Sequence, residues 1–131
     1  MTDFPVTVRI PRGVAEHVFE DYSNGAITAA ANKREWICTF YGRLVDVICD
    51  SEVAGSGGVS DIVDVNINGT TVYTTQANRP TLLVGNTGMF TEAGEPEINT
   101  VVPGDIISYD IDQIATTGSA RFKISICFIE R

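Results

Sequence analysis

A single histidine, His17, is all the imidazole this sequence contains, and no GxSxG elbow, HExxH pair or Gly-Lys-Ser/Thr run accompanies it. A cysteine nucleophile would have to use that one ring as its base. Cysteine itself is scarce: Cys38, Cys49 and Cys127 are an odd number and form no CxxC pair. That excludes the even, dense framework of a small disulfide-stapled domain, and each of the three lies in an apolar run where a thiol serves as a small hydrophobe. No apolar run approaches the roughly 20 residues that cross a bilayer. The opening MTDFPVTVRIPRG lacks the charged-then-apolar order of a signal peptide. The expectation is synthesis in a reducing cytoplasm and no membrane contact.

Positive charge is also in short supply. Nine basic residues against 17 acidic ones leave a net charge of −8, which repels phosphate backbones and argues against nucleic acid as a partner. Aromatic residues beside arginine, Arg34 with Trp36 and Arg121 with Phe122, read as core rings flanked by solvated charge. The 131 residues make one domain, long enough to bury a core without staples, and 44% hydrophobic against 20% charged content is that of an ordinary globular chain.

What the sequence has in quantity is alternation. Val6, Val8 and Ile10 alternate with Thr7 and Arg9 between Pro5 and Pro11, the pattern of an edge strand or an extended arm. Residues 14–35 are the least periodic; VAEHVFEDY fits a short helix with Val14, Val18 and Tyr22 on one side, stopped by Ser23-Asn24-Gly25. From Trp36 the pattern is β. EWICTFYGRLVDVICDS makes one or two strands with apolar residues on both faces in places. Val63, Val65 and Ile67 then share one face, opposite Asp64 and Asn66. A type I′ turn at Asn68-Gly69 would pair Val65 with Val72 and Ile67 with Thr70. TLLVG forms a short strand, residues 86–100 a long polar excursion, and Ile107, Tyr109 and Ile111 another alternating strand. RFKISICFIE closes the chain with Phe122, Ile124, Ile126 and Phe128 facing one way. The fold class expected is all-β, an antiparallel β-sandwich or jelly roll with at most one short helix near the N-terminus. Residues 1–35 form the arm and an ambiguous segment, and residues 36–131 the sandwich.

Chemistry is sparse on this frame. AGSGG at 54–58 has the glycines of a phosphate loop without the following lysine or a helix to open. Asp110 and Asp112 share the polar face of one strand and, with Asp64 or Asp105, offer oxygens to Ca²⁺; carboxylates at that spacing are equally the solvated face of an acidic protein. The acids are spread along the chain rather than paired as a glycosidase requires. Asn68-Gly69-Thr70 satisfies the glycosylation triplet, but the turn accounts for the same residues. The expectation is a non-enzymatic protein with no cofactor and no metal.

The C-terminal half carries a more specific pattern. A strand ends in Asn68-Gly69-Thr70 and a Thr-rich return runs to Asn78-Arg79-Pro80. Gly104-Asp105 then opens a strand ending in Asp110-Ile111-Asp112-Gln113, and a glycine-containing loop leads to the last strand. With FYGRLVDV ahead of it, this order resembles a β-sandwich domain that recurs in structural proteins of tailed bacteriophages, over residues 36–131. Two features depart from it: Ile114-Ala115-Thr116-Thr117-Gly118 stands where the family often has Gly-Ser, and MFTEAGEPEINT is longer and more acidic. The resemblance implies a virion protein. Its first form is a head decoration (cement) protein, likened to a homotrimer on the capsid surface that bridges major capsid protein subunits. The arm residues Phe4, Val6, Val8, Arg9 and Ile10 would add to a capsid or neighbouring-protomer strand, or be buried within their own monomer. Its second form is a tail or fibre module that binds host glycan, with Asp64, Tyr73 and the 86–100 loop as candidates. The lack of heptads, and so of a coiled-coil shaft, favours the first.

Overall fold

Among the described residues, twelve strands pair into two sheets. The computed structural model describes residues 2–3, 6–9, 15–91 and 93–131, with backbone alone for 2–3, 6–9 and 88–91. In chain order the strands are β1 (Thr2–Asp3), β2 (Val6–Arg9), β3 (Ala15–Ser23), β4 (Ala30–Ile37), β5 (Gly42–Val53) and β6 (Asp61–Ile67). They continue with β7 (Thr70–Thr71), β8 (Thr81–Leu82), β9 (Gly88–Thr91), β10 (Thr100–Val101), β11 (Ile106–Gln113) and β12 (Ala120–Glu130), with one 3₁₀ turn at Gln76–Asn78. The first sheet runs β1-β4-β11-β6-β7 with β8 also on β6; the second runs β10-β5-β12-β3-β2 with β9 also on β5. All pairs are antiparallel except β1 beside β4. The protein is an all-β sandwich.

Of the helix expected around Val14, Val18 and Tyr22, Val14 lies outside the described residues, and the rest is a strand instead. β3 pairs with β12 from Glu16 opposite Ile129 to Ser23 opposite Phe122. Its inward positions are Ala15, His17, Phe19 and Asp21, a period of two. Two of those four are polar, which disguises the alternation. The first sheet likewise takes in β4, so the sandwich uses strands from well before residue 36. Within residues 86–100, the polar excursion includes β9, which pairs with β5 from Ile48 opposite Thr91 to Ser51 opposite Gly88.

The core forms where the inward faces meet. Phe122, Ile124, Ile126 and Phe128 of β12 are wholly buried, as are Val63 and Val65 of β6 and Ile107 and Tyr109 of β11. Phe19 centres a ring cluster, 5.5 Å from Trp36 and 5.4 Å edge-on from Phe128. Burying each such side chain contributes about 2–3 kcal/mol. The mixed faces of β5 come from a bulge: Cys127 pairs with Asp46 but Phe128 with Leu44, so Val45 is extra and the inward set passes from Leu44 to Val47. Cys38, Cys49 and Cys127 are buried and unbridged. Burial pushes the Cys38 thiol above its usual range, although it bonds the Phe40 carbonyl.

At the β6–β7 turn, Asn68 and Gly69 both have positive φ, 52° and 79°, as a type I′ hairpin requires. Ile67 pairs with Thr70 and the Val72 amide reaches the Val65 carbonyl, the register expected from alternation. The ladder then stops, and Val72 and Tyr73 turn into the core.

Candidate functional site

The first sheet brings three acidic residues together, Asp64, Asp110 and Asp112. In the β6–β11 register Asp110 lies directly opposite Asp64, and Asn66 opposite Ser108. Two carboxylates facing across an antiparallel pair repel, so each needs other company. Asp110 accepts the Asn32 amide at 2.8 Å and the Asn66 side chain at 2.9 Å. Asp64 accepts the Thr71 hydroxyl at 2.7 Å and the Val65 amide at 2.8 Å. Asp112 is the extra residue where the register shifts between Ile111 and Gln113, and it accepts Arg79 at 2.6 Å. Oxygens of the three carboxylates lie within 4.8 Å of one another, the donor type a hard cation such as Ca²⁺ takes. Here Arg79 already supplies positive charge to one of them.

Segment 71–80 closes over this face. Gln76 donates to the Tyr73 carbonyl at 2.7 Å, and the Arg79 Nε to the Gln76 carbonyl at 2.9 Å. The Thr75 amide meets Glu97 at 2.9 Å, which ties the segment to the loop beyond β9; hydrogen bonding from the Thr75 side chain above all, with this amide adding to it, holds the exposed Glu97 carboxyl below its usual range. Asp64 and Asn66, outward by alternation, are consequently only 5% and 6% exposed. Burial pushes the Asp64 carboxyl above its ordinary value; the Thr71 bond opposes this and the Asp112 charge adds to it. For glycan recognition this placement is a correction. Asp64 is covered and Tyr73 is 0% exposed, so neither can present a carboxylate or a ring face to a sugar.

The four sequence markers meet in two pairs. Asn68 donates to Asp105 at 2.9 Å and accepts the Ile106 amide at 2.9 Å, while Asp105 also accepts the Val102 amide at 2.9 Å. Arg79 of Asn78-Arg79-Pro80 meets Asp112 of Asp110-Ile111-Asp112-Gln113. Markers distant in sequence therefore staple the turns at the ends of β6 to β11. Asp61, which no motif singles out, does similar work at the other end of β6. Only 1% exposed, it accepts the Ala115 amide at 2.8 Å, the Ser119 amide at 3.0 Å and the Ser119 hydroxyl. Its one visible signal is position, first in a strand after a glycine-rich loop.

Of the arm, Phe4 and Ile10 lie outside the described residues, and Val6, Val8 and Arg9 are described as backbone. β2 pairs with residues 15–18 of β3, and β1 with Glu35 and Trp36 of β4, so the arm edges both sheets of its own chain. In β3, where it lies opposite Thr7 of β2, His17 is 5% exposed, stacks on Phe40 at 3.7 Å between ring centroids and meets Glu130 at 2.9 Å. Two recesses flank the β3–β4 side. One of about 470 Å³ follows Asn32, Lys33, Arg34 and Glu35; the other, about 280 Å³, is lined by Glu20, Asp21, Tyr22, Arg34 and Lys123. Asp21 is held at 3.2 Å by Arg34 and at 2.6 Å by the Tyr109 hydroxyl, whose pKa burial pushes well up. Among the described residues no helix is long and apolar enough to cross a membrane. No protein-family model matches this sequence, and no curated protein or solved structure matches it.

Proposed function

We propose that this chain is a structural, non-catalytic protein of a tailed-phage virion, a head decoration protein that sits on the capsid surface as a homotrimer and bridges major capsid protein subunits. The observation that carries the reading is the use of the marker residues. Asn68 with Asp105 and Arg79 with Asp112 hold turns onto the sheet, so the residues behind the resemblance are those that stiffen the sandwich. Asp21, Asp61, Asp64 and Asp110 are likewise engaged in bonds within the chain. A rigid, acidic scaffold suits a clamp whose hold comes from several modest contacts made together. Made in the host cytoplasm, it would join the shell during or after assembly.

Two measurements test this. Gold-labelled antibody on intact particles should mark the head, and purified protein should bind emptied capsids; label confined to the tail would overturn the reading. A second reading, a tail or fibre module for host glycan, draws on one observation: Tyr22 is 56% exposed beside the recess lined by Glu20, Asp21, Arg34 and Lys123, a ring-and-carboxylate setting that a sugar could use. Binding on a glycan array that Tyr22→Ala abolishes would favour it.

A further inference from the structure

Asparagine followed by glycine occurs twice, at Asn24-Gly25 and Asn68-Gly69. In such a pair the chain attacks itself most readily, because glycine has no Cβ to crowd its own amide nitrogen. The fold treats the two pairs differently. At Asn68 both ends of the side-chain amide are held: the nitrogen donates to Asp105 at 2.9 Å and the oxygen accepts the Ile106 amide at 2.9 Å. Asn24 stands exposed in the connection between β3 and β4, and its oxygen accepts only the Tyr22 hydroxyl, in a long bond of 3.4 Å. Among the described residues nothing bonds the Asn24 side-chain nitrogen or the Gly25 amide. A Cβ on Gly25 would meet nothing within 4 Å, so both reacting groups have room to turn.

We infer that Asn24 is a site of spontaneous deamidation in the folded protein, and that Asn68, with the same following residue, is protected from it. The reaction needs water alone. The Gly25 amide nitrogen loses its proton to solvent base and attacks Cγ of Asn24, forming the new N–Cγ bond of a succinimide ring. The Cγ–Nδ2 bond breaks, and that nitrogen leaves as ammonia with a proton taken from water. A water molecule then opens the ring. Attack at Cγ gives aspartate, and attack at the main-chain carbonyl carbon of residue 24 gives isoaspartate. Nothing is oxidised or reduced.

Ring closure requires Cγ to swing onto the next residue's nitrogen, a rotation that side-chain bonds oppose. At Asn68 it would break two bonds at once. The Asp105 carboxylate also sits against the amide group on which negative charge would develop, and disfavours that charge. Asn24 meets neither obstacle. Its change reaches the sandwich, because the Asn24 carbonyl accepts the Arg121 amide at 3.1 Å and the Ile27 amide meets the Ser119 carbonyl at 2.8 Å. These bonds tie the connection to the start of β12. In isoaspartate the main chain runs through Cβ, and the carbonyl that held the Arg121 amide becomes a free carboxylate, added to a chain of net charge −8. The site marks age on this connection whatever partners the chain has.

Incubation of the purified full chain in mildly alkaline buffer, followed by digestion and peptide mapping by mass spectrometry, tests it. Position 24 should gain about 1 Da, and isoaspartyl methyltransferase should label it. In the folded chain position 68 should convert roughly tenfold more slowly or less, whereas in urea, where neither side chain is held, the two should convert comparably. Gly25→Ala adds a methyl group in open space, at a residue without left-handed φ, so circular dichroism should match the parent. That variant should slow conversion of Asn24 by roughly tenfold or more. Asn24 left intact in the folded chain, after the time that converts it in urea, overturns the inference. So does conversion of Asn68 at the rate of Asn24 in the folded chain, or a Gly25→Ala variant that converts Asn24 as fast as the parent.

Discussion

Arg79 donates to Asp112 at 2.6 Å across 33 residues of sequence, bringing a cation to a face that carries Asp64 and Asp110 as well. Both partners are partly buried, at 19% and 29% side-chain exposure, so the pair is screened less than a surface ion pair. Arg79→Ala should cost about 1–3 kcal/mol at neutral pH by urea denaturation, because three carboxylates then share one patch without a counter-charge. The cost should shrink as pH falls and Asp64, whose carboxyl burial holds above its ordinary value, takes up its proton. Arg79→Lys restores charge but loses the fork that also bonds the Gln76 carbonyl, and should recover only part of the stability. A pH-independent loss would show that packing, and not charge, is what Arg79 supplies.

Asp64 makes the opposite contribution to stability at neutral pH. Burial raises its folded-state pKa above the ordinary 3.8, so the native state binds the proton more tightly than the unfolded chain. The stabilisation this gives is fully present below the unfolded value and is lost as pH rises through the folded one. At pH 7 the ionised carboxylate is therefore a burden. Asp64→Asn keeps an oxygen for the Thr71 hydroxyl and the Val65 amide, and should equal or exceed the parent in stability at pH 7. That advantage should vanish by about pH 3.5. Unfolding midpoints of both proteins across this range check it, and a variant weaker than the parent at pH 7 would contradict the sign.

Much of this arrangement is legible in the sequence, and the exceptions share a cause. Val63, Val65 and Ile67 alternate cleanly, and Asn68-Gly69 sets the hairpin register, so β6 and its turn follow from local rules. β3 does not, because inward His17 and Asp21 find partners far away in Glu130, Arg34 and Tyr109. A polar residue facing inward breaks the hydrophobic period, and only the folded chain supplies the bond that permits it. Asp64 and Tyr73 mislead for the same reason. One is outward by alternation but covered by segment 71–80, and the other follows a Thr-rich return that ends early and drops its ring into the core.

Asn68 separates turn geometry from side-chain bonding. Its φ of 52° suits Asn or Gly, and its side chain bonds both Asp105 and the Ile106 amide. Asn68→Gly keeps the backbone and removes the bonds, at a cost of about 1–2 kcal/mol. Asn68→Ala removes the bonds and adds left-handed strain of about 1 kcal/mol more. Thermal unfolding of the two variants should therefore rank parent above Gly above Ala. If both variants match the parent, the Asn68–Asp105 staple contributes nothing.

Asp61 should be the most costly single carboxylate to remove. Asp61→Ala leaves the Ala115 amide and both donors of Ser119 without their acceptor in a buried setting, a loss of about 2–4 kcal/mol. Asp61→Asn retains one acceptor oxygen and should lose less. Hydrogen exchange at Ala115 and Ser119 is the specific readout: protection should fall there first, ahead of β6 itself. Uniform loss across the sheet would mean that Asp61 acts through global stability alone.

The arm can be tested for two duties at once. Deleting residues 1–9 removes β1 and β2, and with them the pairing to Glu35, Trp36 and residues 15–18. β3 and β4 keep their partners β12 and β11, so the sandwich should still fold. Each lost backbone bond contributes about 0.5–1.5 kcal/mol net, so the truncated chain should be less stable by about 2–4 kcal/mol. On emptied capsids the same truncation should reduce occupancy if the arm also reaches a neighbour, since an edge segment that pairs on one side can extend another sheet on the other. Reduced stability with full occupancy would confine the arm to edging its own sheets and send the search for the capsid contact to the charged sides of the sandwich. Unchanged stability with lost occupancy would mean that β2 leaves its own sheet for a neighbour's.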